Sequence, residues 1–274
     1  MSVGAFVDYE AEYNNRARVP ENPAIMAGWA RDAAAYREQC APQLIRYGGS
    51  ARHVIDFFPG DGAGPIAVFI HGGYWQALDG SAFSHMARGL NAHGVGVAIP
   101  TYNLSPHVTV DAITGEMRSA MRELSRLSGW IVVSGHSAGG HLAACMLATD
   151  WPAFDSELPP DLVNSAYAIS GLFDLEPLVG TSINKALDLD VASARAASPL
   201  FWKPPADATL DAVVGELESA EYHRQSRSIV EAWGKAGVET RYGAVAAANH
   251  FTAIAPLADP ASAMTLRLKE LAGR

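Results

Sequence analysis

Short apolar runs recur along this chain, and stretches with helical spacing lie between them. Runs at 54–58, 66–70, 95–99, 130–134, 166–170, 210–214 and 239–244 have the length of strands. Several are apolar without interruption, the mark of strands buried on both faces. Helical patterns fall at 82–92, 110–125, 138–149, 220–236 and 260–271. Such alternation specifies βαβ units, hence an α/β fold whose mostly parallel sheet is covered by helices on both faces through right-handed crossovers. The chain has 274 residues, 49% hydrophobic and 18% charged. That fills one large core, and no repeat, linker or low-complexity tract divides it, so residues 1–274 read as a single domain. Before the pattern begins, Ile25, Met26, Trp29, Ala33 and Tyr36 fall near helical spacing. They predict a helical extension over about 20–40 that packs on the core. Residues 176–205 contain several prolines and no period, and read as an excursion between strands that forms part of a cap.

Within this frame, Gly135-His136-Ser137-Ala138-Gly139 fits G-x-S-x-G. Two glycines around a serine are a weak signal alone. Here a buried strand precedes them and a helical run, Gly140 to Leu147, follows. A sharp strand-to-helix turn forces the serine into a strained conformation, and the flanking glycines remove the Cβ atoms that would collide. The helix N-terminus then points its partial positive charge at a developing oxyanion. Ser137 is therefore the candidate nucleophile of an α/β-hydrolase fold. His71-Gly72-Gly73-Tyr74-Trp75 follows an earlier strand, where such hydrolases place the other half of the oxyanion hole. The amides of Gly73, Tyr74 and Ala138 are the expected donors, with Gly72 in reserve, and His71 is read as organising the loop. The G-x-G-x-x-G and Walker patterns of phosphate-binding turns are absent.

A serine hydroxyl needs a base at neutral pH, and the chain order of this fold is nucleophile, acid, histidine. His223 and His250 are the late histidines. His250 follows the last strand and is the expected base, whereas His223 opens a predicted helix. Three carboxylates compete for the orienting role. Glu218 is favoured because its loop reaches back across the sheet, ahead of Asp174 and Glu216. No H-E-x-x-H motif or Cys-His cluster suggests a metal, and no cofactor is expected.

The chain resembles the kynurenine formamidase (arylformamidase) branch of the α/β hydrolases. The resemblance rests on Tyr13-Asn14-Asn15-Arg16, His71-Gly72-Gly73-Tyr74-Trp75, the extended elbow from Gly135 to Leu142, Ser170-Gly171-Leu172-Phe173-Asp174-Leu175-Glu176-Pro177, Tyr222-His223-Arg224-Gln225-Ser226 and His250-Phe251. It implies a triad of Ser137, Glu218 and His250, with Glu218 where characterised members often carry Asp. It also implies hydrolysis of N-formyl-L-kynurenine to L-kynurenine and formate, a step of tryptophan catabolism. A small-acyl carboxylesterase or lactonase is the alternative, and a non-catalytic ligand-binding member of the fold is the remote one. Tyr74 and Trp75 would narrow the acyl side, and Trp75, Phe173, Phe201 and Trp202 are candidates for an aryl pocket.

The net charge of −9 and the lack of a Lys/Arg cluster argue against nucleic acid and anionic membranes as partners, leaving a small-molecule acyl substrate. Cys40 and Cys145 are too few for a disulfide framework. Residues 1–12 do not read as a signal peptide, so a cytoplasmic protein is expected. The sequence leaves the oligomeric state open, a homodimer included.

Overall fold

The computed structural model describes residues 7–62 and 64–273. Its centre is an eight-stranded sheet: β1 (Gln43–Arg46), β2 (Val54–Phe58), β3 (Ile66–Ile70), β4 (Gly96–Thr101), β5 (Ile131–His136), β6 (Val163–Ile169), β7 (Thr209–Gly215) and β8 (Glu239–Val245). The order across the sheet is β1-β2-β4-β3-β5-β6-β7-β8. β1 and β2 run antiparallel to their neighbours, and every pair from β4 through β8 is parallel.

The uninterrupted apolar runs have the expected cause. All residues of β3, β5 and β7 are buried, because successive side chains enter two different cores. Ile66, Val68 and Ile70 join Ile131 and Val133 under the helices Val110–Leu124, Ala138–Leu147 and Ala220–Lys235. Ala67, Phe69 and Val132 face the opposite core, closed by the helices Asn22–Gln39 and Ala263–Ala272. Asn22–Gln39 carries Trp29, Ala33 and Tyr36 on its buried side.

Several elements depart from the sequence reading. β1 carries no strand signal because it is an exposed edge strand, with Gln43, Leu44 and Arg46 open to solvent. The helix read at 82–92 is mostly a 3₁₀ helix, Gly80–Ala87, passing into a short α-turn, Arg88–Asn91. Two short helices, Tyr9–Tyr13 and Asn15–Arg18, precede the long N-terminal one. They are capped by the side chains of Asp8 and Asn14, which accept from the amides of Ala11 and Ala17. Residues 176–205 hold two short helices, Asn184–Leu187 and Val191–Ala196, between 3₁₀ turns. Cys40 and Cys145 are both free thiols. Among the described residues no helix is long and apolar enough to cross a membrane.

Candidate active site

β5 ends at His136 and the following helix begins at Ala138, so Ser137 alone makes the turn, at φ 57° and ψ −119°. That is a region a side chain rarely enters, and the surroundings hold it there. The Ser137 amide donates to the Ile169 carbonyl at 2.8 Å, and the Ser137 carbonyl accepts from the His141 amide. The glycines are required by contact. A Cβ on Gly135 would be driven into the Gly139 carbonyl, and one on Gly139 into the Ile70 carbonyl. Gly72 passes so close to the elbow that a Cβ there would stand 2.8 Å from the His136 carbonyl oxygen.

Glu218 lies in the turn after β7, and its carboxylate is fully buried. One oxygen, Oε1, accepts from the Gly215 amide at 2.6 Å and from the Ser170 hydroxyl at 2.5 Å. The other, Oε2, accepts from His250 Nδ1 at 2.6 Å. An ionised carboxylate only accepts, so this contact places the imidazole proton on Nδ1 and leaves Nε2 with its lone pair. The Glu218 turn is in turn sewn to the loop bearing His250: Glu216 and Leu217 amides donate to the Val245 and Ala248 carbonyls. His136 supports His250 from below. Its Nε2 donates to the His250 carbonyl at 2.8 Å. Burial, then the neighbouring imidazole of His250, holds His136 well below the usual histidine range, so it stays neutral.

Across the elbow, Gly73, Tyr74 and Trp75 all have positive φ, at 108°, 51° and 57°. This run turns the backbone over Ser137, whose next amide, Ala138, heads a helix and so lacks an intrahelical acceptor. His71 braces the turn. Its ring stacks on Tyr102 with centroids 4.3 Å apart, its Nδ1 bonds the Gly72 carbonyl at 2.8 Å, and burial pulls its pKa down to about 4. Ser137, His250, Gly73 and Tyr74 line one cavity of about 420 Å³, walled further by Tyr13, Trp29, Phe83 and Phe251. Among the described residues, no group of three or more His, Cys, Asp or Glu side chains is placed to hold a metal ion.

A family described by the α/β-hydrolase fold matches residues 67–203. The kynurenine formamidase of Danio rerio is 30% identical over 219 residues, covering 77% of this chain and 73% of its own. That of Drosophila melanogaster is 28% identical over 228 residues, with 77% and 74% covered. The chain is a kynurenine formamidase-like α/β hydrolase. A crystal structure of a candidate thioesterase from Silicibacter sp. TM1040 superposes on this hydrolase with a TM-score of 0.84 at 34% identity, over 96% of this chain and 100% of that one. An esterase of Pyrobaculum calidifontis, 18% identical with a TM-score of 0.69 over 92% of each chain, shares the fold.

Several expected residues of the hydrolase lie elsewhere. Trp75 is a correction: its indole does not reach the cavity but is fully buried, edge-on to His141 with centroids 5.0 Å apart. The positive-φ turn sends its side chain under the loop while Tyr74 faces the cavity. Phe173 is likewise core, and Phe201 is exposed beneath the Arg195 guanidinium. Trp202 faces Arg118 and donates its indole N–H to the Ala196 carbonyl. Asp174 pairs with Arg224, Glu216 accepts from the Ala247 amide, and His223 bonds the Tyr242 hydroxyl.

Residues not singled out in the sequence also pack against the candidate site of this hydrolase. Tyr222 packs its ring against His250, centroids 4.6 Å apart. Its hydroxyl lies 2.7 Å from that of Tyr74 and accepts from Asn15 Nδ2 at 2.8 Å. Tyr74 spends its one proton on the Tyr13 carbonyl, so Tyr222 donates to Tyr74. Burial pushes Tyr222 above the usual phenol range, against the pull of hydrogen bonding to Tyr74 and Asn15. Tyr13, below, donates to Glu221 and accepts from Gln225, each at 2.8 Å. The N-terminal segment thereby packs against the candidate site and lines its cavity through Tyr13 and Asn15. The tyrosine and asparagine at 13 and 15 stood inside the motif that carried the family resemblance, which was the available signal.

Proposed function

We propose that this chain removes a small acyl group from an aryl amide, with N-formyl-L-kynurenine, giving L-kynurenine and formate, as the substrate that fits best. The observation that carries the reading is the Glu218–His250 hydrogen bond on the wall of the cavity that also holds Ser137. The relatives named kynurenine formamidase support the substrate. In the first half-reaction, Ser137 Oγ attacks the acyl carbon and passes its proton to His250 Nε2. The amides of Gly73, Tyr74 and Ala138 hold the resulting oxyanion. As the C–N bond breaks, His250 returns the proton to the leaving amine. Water then attacks the acyl-serine as His250 takes its proton, and His250 returns that proton to Ser137 Oγ as the acyl–oxygen bond breaks and the acid departs. Glu218 keeps the imidazole in the reactive tautomer and stabilises the imidazolium. General-base assistance supplies roughly 10²–10⁴-fold, and each oxyanion donor roughly 10²–10³-fold. The chain acts as one hydrolase unit, with 176–205 closing one side of the cavity through Ser182 and Ile183, and we place it in the cytoplasm.

Tyr74 limits the acyl side, since its hydroxyl is pinned by Tyr13, Asn15 and Tyr222. The decisive measurement is kcat/KM for N-formyl-L-kynurenine beside p-nitrophenyl acetate and octanoate, with a fluorophosphonate to label Ser137. The formamide is expected to lead, acetate to exceed octanoate, and Ser137→Ala to abolish both labelling and turnover. A higher kcat/KM for an acetyl ester, lactone or thioester would move the assignment to a small-acyl esterase. Labelling that survives Ser137→Ala would end the serine mechanism.

A further inference from the structure

The cavity wall is aromatic and neutral except at its outer edge. Apart from the two histidines, Glu10 and Arg16 are the ionisable acid and base that line it among the described residues, with tyrosines making up the other titratable groups. They are not equivalent. Glu10 is held in place: both its oxygens accept from Ser182, from the amide at 2.6 Å and the hydroxyl at 2.7 Å. Arg16 is the next residue after Asn15, whose buried side chain is fixed on Tyr222. Its backbone carbonyl is anchored by Asn22. The neighbouring Arg18 pairs with Glu12, whereas no ion pair or side-chain hydrogen bond holds the Arg16 guanidinium among the described residues. A cation on a fixed backbone, opening onto a reaction cavity without a partner of its own, is a carboxylate receptor in waiting.

We propose that Arg16 anchors a carboxylate on the leaving group of the substrate, with Glu10 facing a neighbouring ammonium, so that the site selects acylated arylamines carrying an α-amino-acid arm. This rests on Ser137 being the acyl-transfer centre of the cavity. The acyl carbon sits at the elbow, the aryl ring lies between the aromatic walls, and the zwitterionic arm reaches the mouth. The opposite charges of Arg16 and Glu10 favour a zwitterion over a simple anion or cation. Because both groups are at the solvent edge, their effect is binding rather than chemistry and falls on KM.

The test compares two substrate pairs that differ in the charged arm: N-formyl-L-kynurenine with 2-formamidoacetophenone, and 3-acetoxybenzoate with phenyl acetate. In each pair the kcat/KM ratio is measured for the native chain, Arg16→Gln and Arg16→Lys. The native chain is expected to prefer the charged member of the formamide pair. Arg16→Gln is expected to lower the charged-to-neutral ratio about tenfold in both pairs, mainly through KM, and Arg16→Lys to retain part of it. Glu10→Gln is expected to lower the ratio in the formamide pair and raise it in the acetate pair, which lacks an ammonium. Equal losses on both members of a pair, or no change in either ratio, overturn the anchor. Native chain that cleaves neither formamide but shows the Arg16-dependent ratio on the acetates keeps the anchor and sinks the formamidase reading. Brisk formamide cleavage with Arg16-independent ratios does the reverse.

Discussion

Glu218 satisfies three donors at once, the Ser170 hydroxyl, the Gly215 amide and His250 Nδ1, and that number decides what its replacement does. In Glu218→Gln the amide group brings donors of its own, so the contact with His250 Nδ1 is lost or the imidazole adopts the other tautomer. kcat is expected to fall by about 10³–10⁴-fold with little change in KM. Glu218→Asp keeps the charge but is one methylene shorter, and cannot span the Gly215 amide and the imidazole together. It should retain more activity than Gln and less than the native chain, and steady-state kinetics on both variants checks this order. A fully active Glu218→Gln would remove the residue from the mechanism. Ser137 and His250 were legible in the chain because the elbow motif and the position after the last strand each have local signatures. Glu218 was legible only as one of three acids, and geometry separates it from Asp174 and Glu216, which are spent on Arg224 and Ala247. Trp75 was misread because a motif gives a residue's position in a turn and not the direction its side chain takes.

The elbow depends on close approach between the turn at Ser137 and the end of β3, with no room for a methyl group at Gly139. Gly139→Ala is therefore expected to cost about 2–3 kcal/mol of stability, by overpacking, and to disturb the Ala138 amide as well. Urea denaturation and fluorophosphonate labelling read the two effects separately. Native stability in that variant would mean that the strand end and the elbow are not in contact. Elements buried on two faces were plain in the sequence, since two cores demand continuous apolar runs. The edge strand β1 had no such demand and left no pattern. The 3₁₀ helix Gly80–Ala87 imitates an α-helix in composition, and what marks its start is the Asp79 side chain, which accepts from the Ser81 amide. The helices Tyr9–Tyr13 and Asn15–Arg18 are too short to generate a period, and what fixes them is their contact with distant tyrosines.

For the whole molecule, buried histidines govern the response to acid. Burial pulls His71 and His141 down to about 4 from the ordinary value of 6.5. Both are neutral in the folded protein, and on unfolding each regains the ability to take up a proton below pH 6.5. The unfolded state thus binds more protons between pH 6.5 and 4, and stability must fall as pH falls through that window. From pH 7.5 to 5.5 the pair should cost about 3 kcal/mol, at about 1.4 kcal/mol for each unit below 6.5 for each residue. His136, also held well below its ordinary value, adds in the same direction. Urea midpoints at the two pH values measure the loss. An unchanged midpoint would mean that these imidazoles are not buried as described.

The hydrogen bonds from Tyr13 to Glu221 and from Asn15 to Tyr222 close loops of more than 200 residues. Contacts so distant in sequence are entropically late in folding, after the βαβ units have collapsed locally. Ordering the Gly73–Trp75 turn and the His250 loop is thereby deferred to the final docking event of the chain. On dilution from denaturant, far-ultraviolet ellipticity should recover first and esterolysis with a lag, leaving a transient species that has its secondary structure but does not yet turn over.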